Sequence, residues 1–173
     1  MVEVVCQWVM YQKRRCSCWL ALIGSVIILG WFQPGAIAAN LEPYVLRYLD
    51  AREPVELPLN AQGETQTFSA EQLSVGQRLF EESCKSCHVG GATLPNPNTP
   101  LSITALQAAT PPRDTIQALT AFMRMPMTYD GTEQTFWCRE IPESWLSEQE
   151  LEAIAAFVLR AAQKAPGWGE SQF

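Results

Sequence analysis

The 173-residue sequence predicts a mostly α domain with one small N-terminal β-hairpin. Two capped helical patterns supply the α part: Ser69 with Gln72 ahead of Leu73, and Ser147 with Glu150 ahead of Leu151. Alternating apolar and polar residues on either side of Asn60-Ala-Gln-Gly63 supply the hairpin. Composition agrees, since 47% hydrophobic and 17% charged residues suffice to bury a core. The balance of 12 Lys+Arg against 18 Asp+Glu, net charge −6, lacks the clustered basic face that binding nucleic acid requires. His88 is the only histidine, which excludes every site built on two imidazoles.

The chain opens with Lys13-Arg14-Arg15, an apolar run from about Trp19 to Phe32, and then Gln33-Pro-Gly-Ala-Ile-Ala-Ala39. A positive region, an apolar region and a small-residue A-x-A site in that order predict a signal peptide, residues 1–38, cleaved after Ala38. The competing expectation is an uncleaved membrane anchor, for which the apolar run from Cys16 is at the short end of the spanning range. Cleavage leaves residues 39–173 as one domain with 9 basic and 17 acidic residues, a net charge of −8. No mature transmembrane helix is expected. An acidic surface favours cationic partner faces and disfavours anionic lipid.

Within the mature part, Leu41 to Leu49 reads as a short helix or a docking segment. Pro54 to Leu59 and Glu64 to Phe68 read as the two hairpin strands, with Pro58 suited to an edge. From Ser69 the period lengthens, placing Leu73, Gly76, Leu79 and Phe80 on one face of a helix that runs to about Ser83. A short helix is expected around Thr104 to Ala109, stopped by Thr110-Pro-Pro112. Another starts at Asp114, with Ile116, Leu119, Phe122 and Met123 inward, and ends before Pro126. In the last helix Leu151, Ile154, Ala155, Val158 and Ala162 form the buried stripe.

The chemistry resides in Cys84-Lys85-Ser86-Cys87-His88. In an exported protein a C-x-x-C-H run attaches a c-type haem: two thiols one helical turn apart take the vinyl groups, and the adjacent imidazole takes the iron. A thioredoxin-like dithiol would need a βαβ context that is missing. A zinc site would need two further ligands, for which only Cys138 is an obvious candidate. One covalently bound haem c on Cys84 and Cys87, with His88 as proximal iron ligand, is therefore the expectation. Gly76, Phe80 and Cys84 form a G-x-x-x-F-x-x-x-C pattern that resembles class I cytochromes c, where the glycine admits a close helix crossing.

The strings Val89-Gly-Gly91, Ala109-Thr-Pro-Pro-Arg113, Thr128-Tyr-Asp-Gly131, Ala153-Ile-Ala155 and Gly167-Trp-Gly169 resemble, in order, the cytochrome c-550 family, the extrinsic low-potential cytochromes of photosystem II. The similarity is greatest to the divergent cytochrome c-550-like branch of thermophilic cyanobacteria. It implies a class I cytochrome c-like monohaem fold, a thylakoid-lumen location and peripheral association with the photosystem II donor side. The family's second histidine, the sixth iron ligand shortly after Tyr-Asp-Gly, is missing here. The stretch reads Thr132-Glu-Gln-Thr-Phe-Trp-Cys138-Arg-Glu-Ile-Pro142, with Cys138 near the expected place. The distal ligand is thus Cys138, or Met125 ahead of Pro126, or an open position. The competing expectation for Cys138 is a buried free thiol or an intermolecular disulfide, while Met123, Met125 and Met127 also suit haem packing.

A thiolate would favour ferric iron and a low potential. Arg139 is placed to lower the thiol's pKa, to pair with a propionate, or to do neither, and Phe136 and Trp137 to exclude water. A non-enzymatic one-electron carrier follows, with the photosystem II luminal surface or another redox protein as partner. The alternatives are a mainly structural extrinsic subunit and a haem-based ligand sensor or peroxidatic site. The ending Glu170-Ser-Gln-Phe173, without the family's glycine-, lysine- and tyrosine-bearing tail, weakens the subunit reading.

Overall fold

The computed structural model describes residues 41–94 and 99–170. The predicted leader lies outside them. Helix α1 (Pro43–Tyr48) has proline in its first turn and buries Val45. Strands β1 (Val55–Pro58) and β2 (Thr65–Phe68) pair antiparallel, Val55 opposite Phe68 and Pro58 opposite Thr65, and form a two-stranded sheet in which Pro58 lies on an edge strand. Helix α2 (Ala70–Ser83) starts on the Ser69–Gln72 capping box. A 3₁₀ turn covers Val89–Gly91, followed by α3 (Ile103–Ala108) and α4 (Ile116–Arg124). The cap of α4 is Thr115, whose hydroxyl accepts from Ala118 N–H, one residue beyond the expected start at Asp114. Helix α5 (Glu148–Lys164) opens on the Ser147–Glu150 capping box.

The core forms where α2 crosses α5, with α1, α4 and the hairpin packed around the crossing. A Cβ at Gly76 would sit on the Ala153 carbonyl and 3.0 Å from Phe157 Cβ, so only hydrogen fits at this contact. The periodic stripe on α5 is too narrow. Ala153, Ala156, Phe157, Leu159 and Ala161 are buried as well, while Ala162 is only partly buried, because α5 is surrounded by neighbours rather than lying on a surface. Phe157 meets Phe80, Tyr44 and Trp168 ring to ring, at 5.4, 6.2 and 5.7 Å between centroids. At the other end of α4, Arg124 donates to the carbonyls of Ile141 and Leu146 and pairs with Glu148, fastening the irregular segment 125–146 to the start of α5. Among the described residues no helix is long and apolar enough to cross a membrane.

Candidate haem site

The end of α2 presents the Cys-x-x-Cys-His run. Cys84 N–H and Lys85 N–H both donate to the Phe80 carbonyl, and Cys87 N–H and His88 N–H both donate to that of Cys84. These bonds carry the chain through one further turn, so Cys84 sits half-buried against the core while Cys87 and His88 reach a cavity. The chain then turns at Gly91, which has φ +79° and whose missing side chain leaves room for the Trp168 ring. Trp168 Nε1–H donates to the Leu101 carbonyl, and Gly169 N–H donates to that of Gly90. The tail strings Val-Gly-Gly and Gly-Trp-Gly thus close on each other behind His88.

The cavity is about 420 Å³ and mostly apolar. Leu101, Leu106, Leu119 and Phe122 form one part of its wall; Met127, Tyr129, Trp137 and Cys138 form another. Tyr129 O–H donates to the Ala105 carbonyl, and Thr110 N–H donates to that of Tyr129, so the Thr-Pro-Pro-Arg and Thr-Tyr-Asp-Gly strings meet at this wall. Burial pushes the Cys84 thiol up to about 12 and pushes His88 down, so both stay uncharged. Cys84, Cys87 and Cys138 are all free thiols. No three His, Cys, Asp or Glu side chains converge as a metal-ion cluster among the described residues. An apolar cavity reached by a neutral imidazole and a free thiol of the same run suits a flat, largely hydrophobic macrocycle.

The two distal candidates separate. Cys138 lines the cavity, whereas Met125 is 59% exposed and does not; the methionine on the wall is Met127. Burial raises the Cys138 thiol's pKa, and the main opposing influence is the guanidinium of Arg113. Arg113 donates to the carbonyls of Met127 (3.1 Å) and Thr128 (2.6 Å) and lies 4.1 Å over the Phe122 ring. Of the roles left open for Arg139, lowering the Cys138 thiol's pKa falls to Arg113 instead. The Arg139 guanidinium stacks 5.6 Å over Trp145, and Cys138 meets only that residue's backbone carbonyl, 3.9 Å from the sulfur. The aromatic seal is corrected: Phe136 is 99% exposed and does not line the cavity, and Trp137, which does, is 85% exposed and leaves it open. Sequence reasoning missed Arg113, although it lay in a string already singled out, because 25 residues of chain separate it from Cys138 and only the fold brings them together.

A helix-borne Cys-x-x-Cys-His run opening on an apolar cavity, framed by a glycine-mediated crossing of the first long helix and the last, defines a class I c-type cytochrome, with a single covalently held haem. The cytochrome c-550 domain matches residues 48–173. The chain is 51% identical over 170 residues to the cytochrome c-550-like protein of Thermosynechococcus vestitus, covering 95% of this chain and 97% of that one. It is 50% identical over 135 residues to photosystem II extrinsic protein V of Gloeobacter violaceus, covering 78% and 73%. The crystal structure of the PsbV2 cytochrome from Thermosynechococcus elongatus superposes with a TM-score of 0.74 at 56% identity, over 75% of this chain and 99% of that one. This chain belongs to the cytochrome c-550 family.

Proposed function

We propose that this protein is a low-potential monohaem electron carrier of the thylakoid lumen, peripheral to the membrane, with the luminal face of photosystem II or another redox protein as its partner. Cys84 and Cys87 would hold the haem covalently, and His88 and Cys138 would ligate its iron. The observation that carries the reading is that His88 and Cys138 line the same cavity while Met125 turns to solvent. The haem supplies a one-electron couple at its iron. Everything else is done by the chain. Two protein ligands leave no position for a substrate, which argues for electron transfer and against an enzyme or a ligand sensor. Arg113, fixed by two carbonyls and an aromatic face, places a positive charge beside Cys138 and favours its thiolate. Leu101, Leu106 and Leu119 keep water from the cavity wall. The name of the Gloeobacter relative, an extrinsic protein of photosystem II, supports the luminal placement and also the second reading, a mainly structural subunit.

Absorption and EPR spectra of the ferric and ferrous holoprotein test the ligand set. Cys138→Ala is expected to abolish thiolate character and give a high-spin or newly ligated ferric centre, while Met125→Ala leaves the parent spectrum in place. An unchanged spectrum in Cys138→Ala removes the sulfur from the iron. The two functions part in cells lacking their cytochrome c-550: full rescue of oxygen evolution by a haem-retaining Cys138→Ala favours the subunit, and rescue by the parent chain alone favours the carrier.

A further inference from the structure

We propose that Thr93 is a positioning residue for the haem: its hydroxyl accepts the Nδ1–H of His88, fixing the imidazole tautomer and strengthening Nε2 as a donor to iron. The proposal rests on the reading of His88 as an axial ligand. Thr93 Oγ1 lies 3.1 Å from His88 Nδ1, and the same oxygen donates to the Thr99 carbonyl at 2.6 Å. A hydroxyl has one proton. With that proton committed to Thr99, only a lone pair is left to face the imidazole, so Nδ1 must carry hydrogen and Nε2 is bare.

The arrangement gives Thr93 a role that a carbonyl could not play in the same way. Its hydroxyl sits between the ligand and Thr99, so the short bond to Thr99 polarises the oxygen and aims its lone pair. An accepted Nδ1–H shifts electron density toward Nε2 and raises the ligand's basicity, which stabilises ferric over ferrous iron. Thr93 therefore lowers the potential from the proximal side, independently of Cys138.

The presence of a single histidine allows a single-site test. In ferric holoprotein carrying histidine ¹⁵N-labelled in the ring, the ¹⁵N signals in pulsed EPR come from the two ring nitrogens of His88 alone. The unsubstituted protein is expected to show one strongly coupled nitrogen and one remote nitrogen bearing an exchangeable proton. Thr93→Val removes the acceptor while keeping the shape; the midpoint potential is expected to rise and the remote-nitrogen coupling to shift. Thr93→Ser is expected to match the parent in both readouts. An unchanged potential and coupling in Thr93→Val overturns the proposal, as does Thr93→Ser behaving like Thr93→Val, which would assign the effect to packing of the methyl group. Should Thr93→Val fail to retain haem, the unsubstituted protein decides: a remote nitrogen without an exchangeable proton overturns the proposal. Absence of any strongly coupled nitrogen overturns the His88 reading itself, and this proposal with it.

Discussion

Gly76→Ala is the sharpest test of how the cavity is framed. The added methyl would land on the Ala153 carbonyl and 3.0 Å from Phe157 Cβ, and both belong to the α5 backbone or its first side-chain atom. Neither can swing away as the tip of a long side chain can. Overpacking of this kind costs about 1–3 kcal/mol, and an immovable neighbour puts the cost near ~3. Alanine in place of glycine inside a helix returns about 1 kcal/mol. The expected loss is therefore about 2 kcal/mol, a shift of roughly 30-fold in the unfolding equilibrium. Denaturant titration of the holoprotein by circular dichroism, with haem absorbance recorded in parallel, measures it. A second substitution sharpens the test. Because the obstacle is the Ala153 carbonyl and not its methyl, Ala153→Gly is expected to give no relief and to add about 1 kcal/mol of helix penalty. A Gly76→Ala variant as stable as the parent, or rescue by Ala153→Gly, would refute the backbone-contact argument.

Arg124→Met strips the Ile141 and Leu146 carbonyls of a charged donor and is expected to cost about 2–3 kcal/mol in denaturant titration, with faster amide exchange across 141–146. Arg124→Lys should recover little, since one ammonium replaces a two-pronged fork. The Glu150 carboxylate accepts from Ser147 N–H and O–H and is held below the ordinary glutamate range, so its contribution is present above about pH 4.3 and is lost as pH falls through the depressed value. The stability gap between the parent and Ser147→Ala, which itself removes about 1 kcal/mol of capping, should accordingly be widest near neutrality and narrow in acid. On the proposed luminal placement, an acidic protein docked on a cationic face should leave thylakoid membranes as salt rises, because surface charge pairs are screened beyond about 8 Å at physiological ionic strength; immunoblots of salt washes read this directly.

Most of the frame was legible in the sequence because its determinants are local. Both capping boxes bind within three residues, the hairpin turns within four, and Gly76, Phe80 and Cys84 share a helix face. That Cys87 and His88 share one cavity was legible for the same reason: they follow α2 by one turn. What stayed hidden depends on tertiary contacts. Arg113 reaches Cys138 only when α4 and the 125–146 segment are folded, and Trp168 reaches the turn behind His88 from the far end of the chain. Phe136 and Trp137 show the reverse failure. Aromatic residues beside Cys138 suggest a lid, but Thr135 N–H donates to the Pro126 carbonyl and Trp137 N–H to Thr135 Oγ1, and in this tight bend both rings stay largely exposed, Trp137 while still edging the cavity.

The bond from Gly169 to Gly90 makes the intervening polypeptide a hoop, pinned at its neck by the indole of Trp168. The entropy of closing a flexible hoop grows only with the logarithm of its circumference, so for one of roughly 80 residues, five more or fewer change the closure by less than ~0.1 kcal/mol. The frame is thus nearly indifferent to the length of the segment that carries Cys138. A segment of another length or composition can be spliced into such a hoop without loosening that neck.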